Sequence, residues 1–133
     1  KIELKEKKDR VEDAIYAVKA AIKEGIVSGG GVALHNASSV LKTKNSPEQI
    51  LCEAIKSPYK TILENANIKY GPYADEGNGV DVITGKTVNM IKHGIIDPVL
   101  VTKTALINAV SVATTILSAD CVISNVREYA SSK

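Results

Sequence analysis

The sequence predicts a mainly α-helical domain with a small β-hairpin and a C-terminal strand. Three observations lead there. Apolar residues recur at Leu4, Val11, Ile15, Val18 and Ile22, the single stripe of an amphipathic helix. Two Ser-Pro pairs, Ser46-Pro47 and Ser57-Pro58, follow each other closely, and proline suits the first turn of a helix. Between Pro98 and Ala119 the only charge is Lys103, the pattern of a helix buried nearly all round.

In order, residues 3–24 read as one long helix ended by Gly25, since glycine takes the left-handed backbone that closes a helix. Residues 26–31 read as a short loop closing in Gly29-Gly30-Gly31. A second helix, 32–41, is expected to turn Val32, Ala33, Ala37, Val40 and Leu41 inward, and 42–45 is a polar turn. Ser46 is the expected cap of the third helix, with Pro47 in its first position and Gln49 three residues after the cap. That helix should bury Ile50, Leu51, Ala54 and Ile55. The fourth runs from Ser57-Pro58 to about Ala66 with Ile62 and Leu63 inside. Residues 67–79 are glycine-rich and polar, a loop. The alternation over 80–88 around Thr84-Gly85-Lys86 predicts a hairpin, and 89–93 a short helical turn stopped at Gly94. Asp97-Pro98 caps the last helix, to about Leu117. Residues 121–126, Cys-Val-Ile-Ser-Asn-Val, read as a strand with no partner in the chain. An uncovered apolar strand invites pairing with another chain, a first sign of obligate assembly.

The 133 residues suffice for one core. A net charge of +2 does not suggest duplex DNA or an anionic membrane as partner. Five tyrosines with no Phe and no Trp are too few rings for a nucleic-acid stacking platform. Two cysteines, Cys52 and Cys121, exclude a disulfide-stapled scaffold and a four-thiolate zinc site; both are expected reduced and buried. The N-terminus is charged, without the apolar centre of a signal peptide. The stretch 104–119 is interrupted by Asn108, Ser111, Thr114, Thr115 and Ser118 and is shorter than the ~20 residues that span a bilayer, so it is read as a buried helix. The chain opens without Met, inside or just before a helix, and is expected to be a piece of a larger protein.

Few residues suggest chemistry. Asp13 lies opposite the apolar stripe of the first helix, where a solvated carboxylate is the simpler reading on helix geometry alone. The glycine triplet would let a ligand approach backbone N–H groups at a helix start, yet a tight helix crossing explains it equally well. It is not a Walker loop, because no Gly-Lys-Ser/Thr follows. Asp97 has a structural task as a cap. His35 and His93 stand in different elements, and no spacing recommends a metal site. By motif chemistry alone the chain is a helical assembly module with a backbone-lined ligand site.

Several of these pieces together resemble one family. Arg10-Val11-Glu12-Asp13-Ala14, then 25–34 (Gly-Ile-Val-Ser-Gly-Gly-Gly-Val-Ala-Leu), then Gly94-Ile95-Ile96-Asp97-Pro98 with Val101, Ala105-Leu106 and Asn108-Ala109, resemble the group I, bacterial-type chaperonin subunit across essentially the whole chain. The resemblance implies that residues 1–24 are the last helix of the intermediate domain and 25–133 the C-terminal half of the equatorial domain, a helical-bundle half of an ATP-binding fold. It implies an ATPase that encloses and refolds non-native proteins in a double ring of seven-subunit rings, with a co-chaperonin and unfolded clients as partners. No nucleic acid and no membrane are implied. Asp13 matches the catalytic carboxylate that orients or activates the attacking water, delivered when the intermediate domain swings about a hinge near Gly25. The apolar stripe of the helix would then pack within the subunit. Gly30 matches a nucleotide-contacting glycine, Asp81, Val82 and Ile83 the segment touching adenine, and Asp97 the residue holding the ribose.

The chain departs from the family pattern in three places. The family often has Asn and two Ala at 81–83, where this chain has bulkier, differently charged residues. The Gly-Gly-Met tail is absent, and the wording of 118–122, Ser-Ala-Asp-Cys-Val, is closer to plastid-type chaperonins. That points to a plastid or plastid-like organelle ahead of a mitochondrion, with bacterial cytoplasm the alternative. The phosphate cradle and the Mg²⁺ ligand belong, in the family, to the N-terminal half of the equatorial domain. The isolated chain is therefore expected neither to hydrolyse ATP nor to refold clients. The alternative to the chaperonin reading is a non-enzymatic helical oligomerisation module.

Overall fold

The computed structural model describes residues 2–42, 45–71, 76–121 and 123–124. Among them the chain is mainly helical, with two small antiparallel ribbons. It divides into two units, Lys1–Thr102 and Lys103–Lys133.

The first unit opens with α1 (Ile2–Glu24), closed by Gly25 at φ +85° with its N–H on the Ala21 carbonyl at 2.8 Å. The residues expected to form a loop instead begin with β1 (Ile26–Ser28), which pairs antiparallel with β4 (Ile96–Pro98). Three residues without alternation leave no periodic signal, and only a partner seventy residues away makes them a strand. Helices α2 (Val32–Val40), α3 (Ser46–Ala54) and α4 (Ser57–Asn65) follow. Strands β2 (Asn78–Asp81) and β3 (Lys86–Asn89) form the expected hairpin, with Val80 opposite Thr87. The core is Val32 from α2, Tyr59 and Leu63 from α4, Val80 from β2 and Met90 after β3, with Ile68, Val88 and Ile95 packed against it.

Helix starts and stops carry local logic. Asn45, not Ser46, caps α3, its side-chain oxygen accepting from the Glu48 N–H at 3.0 Å; Pro47 thus falls in the second helical position. α4 ends in a Schellman motif: Asn67 is left-handed at φ +56°, the Ile68 N–H reaches the Leu63 carbonyl at 2.9 Å and the Asn67 N–H the Glu64 carbonyl at 2.9 Å. Such closure satisfies helix-end carbonyls that would otherwise lack partners.

Burial follows the periodic expectation at Val32 of α2 and Leu63 of α4 and departs from it at most other positions, Ile62 among the exposed residues. The stripe of α1 is exposed from Leu4 to Ile22, while Ala20 is the buried residue and Ala17 and Ala21 are half-buried. α1 packs on β4 through this alanine face, because small side chains let a helix backbone approach a ribbon closely. In α2 the buried side chains are Val32, His35 and Ser38, and Val40 and Leu41 are exposed. Of the residues expected inside around α3, only Ile55, just beyond the helix, is buried. Asp97 and Pro98 lie in β4 rather than acting as a free cap.

Helix α5 (Val99–Leu117) begins in the first unit and supplies most of what is described of the second. It starts directly after Asp97-Pro98 and ends at Leu117, the bounds the sequence predicts; its 19 residues are long and apolar enough to cross a membrane by length and composition, a test that core helices of soluble proteins also pass. The expected burial is absent: no residue of α5 is buried by the described chain. Cys52 is half-buried and Cys121 exposed, both as free thiols, so the expectation of two buried cysteines is corrected: Cys52 is covered only in part and Cys121 not at all. Of the expected C-terminal strand, Cys121, Ile123 and Ser124 are not in strand conformation, and the rest lies outside the described residues.

Candidate functional site

Four of the six candidate residues meet at one cleft. Gly30, Asp81, Val82 and Ile83 line a space of about 220 Å³ together with Tyr59, Ile62, Val80, Met90 and Ile95. The hairpin supplies one wall, α4 another, and the glycine turn before α2 the third. Its side chains are largely apolar, with the backbone of Gly30 exposed to the space at φ +65°. A cleft below the ~300 Å³ usual for drug-sized ligands suits a flat ring system better than a whole nucleotide.

The neighbouring glycines serve packing. The Gly29 N–H donates to the Ile95 carbonyl at 2.9 Å, and a Cβ on Gly29 would stand 3.0 Å from the Ile96 nitrogen. Gly31 adopts φ +79°, and a Cβ there would stand 2.7 Å from the Tyr59 nitrogen. Two of the three glycines are therefore required by close backbone approaches, and Gly30 is the one that lines the cleft. A Cβ at Gly30 would meet only the Met90 methyl, at 3.4 Å.

Asp81 is occupied within its own hairpin. One carboxylate oxygen accepts from the Ile83 N–H at 3.0 Å and the other from the Thr84 hydroxyl at 2.8 Å. The Thr84 hydroxyl, then the Ile83 N–H, hold its pKa below the ordinary aspartate value, because both bonds favour the charged form. This turn gives an Asp at 81 a structural reason independent of any ligand. Val82 is half-exposed and Ile83, at the turn, almost wholly exposed.

Asp97 does not line this cleft. It sits opposite Val27 in the β1–β4 ribbon and borders a second, smaller space of about 160 Å³ shared with Ala17, Ala21 and Ile26. Asp13 is exposed on α1 and borders neither space. At about 100° per residue, it lies within roughly 40° of Ala17, Ala20 and Glu24 on the helix circumference. The face opposite the apolar stripe, which helix geometry alone assigned to solvent, is thus the face that meets β4 two turns further on.

Tyr59, Met90 and Ile95 were not singled out in the sequence as cleft residues. A signal existed for the first: Tyr59, Ile62, Leu63 and Ala66 follow an i, i+3, i+4, i+7 pattern. Among the described residues no three His, Cys, Asp or Glu side chains gather as a metal site.

A mainly helical fold with two-stranded ribbons and a glycine-sided cleft is the class of protein these features define. The model of the TCP-1/cpn60 chaperonin family matches residues 1–127, and the chain belongs to that family. Membership carries a chaperone role in protein folding and assembly with other chaperonin subunits.

Proposed function

We propose that this chain is the nucleotide-base side of an ATP-driven chaperonin subunit of the group I type. Residues 1–24 belong to the intermediate domain and 25–133 to the equatorial domain. The complete subunit hydrolyses ATP and, in a double seven-membered ring with a co-chaperonin, encloses and releases non-native proteins. The observation that carries this reading is the cleft gathering Gly30, Asp81, Val82 and Ile83, the residues that the family resemblance marks for nucleotide.

The residues present fit the base of ATP. Tyr59, Ile62, Met90 and Ile95 offer apolar walls to a purine, and the open backbone at Gly30 allows close approach. Asp97 would hold the ribose from the adjoining ribbon. Asp13 would position the attacking water once α1 is brought over the phosphates, a closing motion that completes a catalytic set. When bound, ATP with Mg²⁺ supplies the phosphoryl group and the charge neutralisation; the Mg²⁺ ligand and the phosphate cradle belong to the rest of the subunit. The exposed stripes of α1 and α5 are the surfaces that the remaining subunit would cover. The wording of 118–122 supports a plastid-like organelle as the compartment.

A second reading, a non-enzymatic oligomerisation module, is favoured by the packing duty of Gly29 and Gly31. Single-turnover ATP hydrolysis by the complete subunit, with and without Asp13→Ala, separates the two. On the chaperonin reading hydrolysis falls by about 10²–10⁴-fold while ATP binding persists. Unchanged turnover would leave Asp13 a solvated helix residue and the module reading the better one. The isolated 133-residue chain is expected to show no turnover.

A further inference from the structure

His35, with Tyr59 and Tyr70, forms a ring cluster whose histidine neither reading uses. His35 of α2 is only 8% exposed. Its Nε2 shares a hydrogen bond of 2.9 Å with the Tyr70 hydroxyl, while its Nδ1 is buried with no partner among the described residues. His35 meets Tyr59 edge-on at 5.3 Å and Tyr70 at 6.0 Å, and the two tyrosines meet at 6.3 Å, so the three rings close a triangle. One corner, Tyr59, is a wall of the cleft. Another, Tyr70, stands on the segment that leaves α4 through the Asn67 turn.

We propose that neutral His35 is a positioning residue that holds the Tyr59 wall and clasps the segment after α4 through Tyr70, and that protonation of His35 releases both rings. A neutral imidazole needs one acceptor and one donor role, and the Nε2–Tyr70 bond fills either one. The charged ring carries N–H on both nitrogens. Whichever nitrogen bears the proton in the neutral ring, charging it puts a positive ring in a site only 8% exposed where, among the described residues, Nε2 alone has a hydrogen-bond partner, and an ionised group so placed is costly to bury. Loosening the triangle and admitting water is the relief. The groups facing His35 do not reverse this. On α2 the Ser38 and Ser39 hydroxyls both donate to the His35 carbonyl. From α3, Glu53 feels the histidine, yet its carboxylate is paired with Lys56 at 2.8 Å. Tyr59 and Tyr70 present their rings edge-on to it.

The clasp does not depend on nucleotide binding; its effect on the cleft rests on the nucleotide reading. The test is an acid titration of the full chain from about pH 8 to 5, where histidine charges. The His35 and tyrosine ring signals are followed by NMR, together with amide exchange at Ile68 and Tyr70. The tyrosine signals should move with the His35 titration, and protection at Ile68 should fall about tenfold or more. His35→Phe keeps a ring but cannot charge, and should make both readouts flat. Tyr70→Phe should lower protection at neutral pH toward the acid wild-type level, and serves should His35→Phe fail to fold. Tyrosine signals that ignore the His35 titration, or acid loosening retained in His35→Phe, would overturn the proposal. ATP affinity is measured in parallel: a clasp that follows pH in a chain that binds no ATP supports the clasp and counts against the nucleotide reading alone.

Discussion

Gly31 lies so close beneath Tyr59 that a Cβ on it would stand 2.7 Å from the Tyr59 nitrogen and 3.0 Å from its Cα. The turn before α2 and the start of α4 are in backbone contact there, and this contact sets one corner of the cleft. Gly31→Ala therefore combines a clash that backbone cannot relieve with a left-handed φ, and should cost about 3 kcal/mol or more. Gly25 has a similar φ of +85° but open space around its Cβ position, so Gly25→Ala should cost only about 1 kcal/mol. Denaturant midpoints of the two variants measure the difference.

Asn45→Ala removes the only side-chain cap described at α3, the 3.0 Å bond from the Glu48 N–H, and should destabilise by about 1 kcal/mol. Ser46→Ala should change stability by less than about 0.5 kcal/mol, since Ser46 is already inside the helix. The reverse order in a urea titration would restore Ser46 as the cap.

Asp81 is held charged by Thr84 and the Ile83 N–H, which lowers its pKa in the folded chain. Its contribution to the hairpin is complete above the ordinary aspartate pKa and is lost as pH falls through the lowered value. Thr84→Val removes the largest cause, so the Asp81 carboxyl should titrate at higher pH and the hairpin should loosen earlier on acidification. A carboxyl-detected NMR titration reads both; an unmoved Asp81 would mean that the Thr84 bond is not formed in solution.

The two faces of α1 should respond unequally in this chain. Ile22 is 81% exposed, and Ile22→Ala should shift stability by no more than about 0.5 kcal/mol. Ala20→Leu forces bulk between α1 and the ribbon and should cost about 1–3 kcal/mol. Thermal unfolding of the two variants is the check, and equal effects would place the helix on another face.

The hairpin, the long first helix and the close of α1 at Gly25 were legible in the sequence because their causes are local: turn residues, a 3.6-residue period and a left-handed glycine. The family was legible for a different reason, since the order of Asp13, Gly30 and Asp97 with their neighbours is a chain of short motifs. Tertiary structure alone decided the rest. β1 exists only because β4 lies beside it. Asp81, Val82 and Ile83 become neighbours of Gly30 because Tyr59, Val80 and Met90 pack α4 and the hairpin into one core. Which face of α1 packs was decided by how closely alanines allow a ribbon to approach, a distance that periodicity does not encode. Sequence pattern records what each residue prefers locally; which surface is covered, and which residues share a cleft, depends on partners far away in the chain.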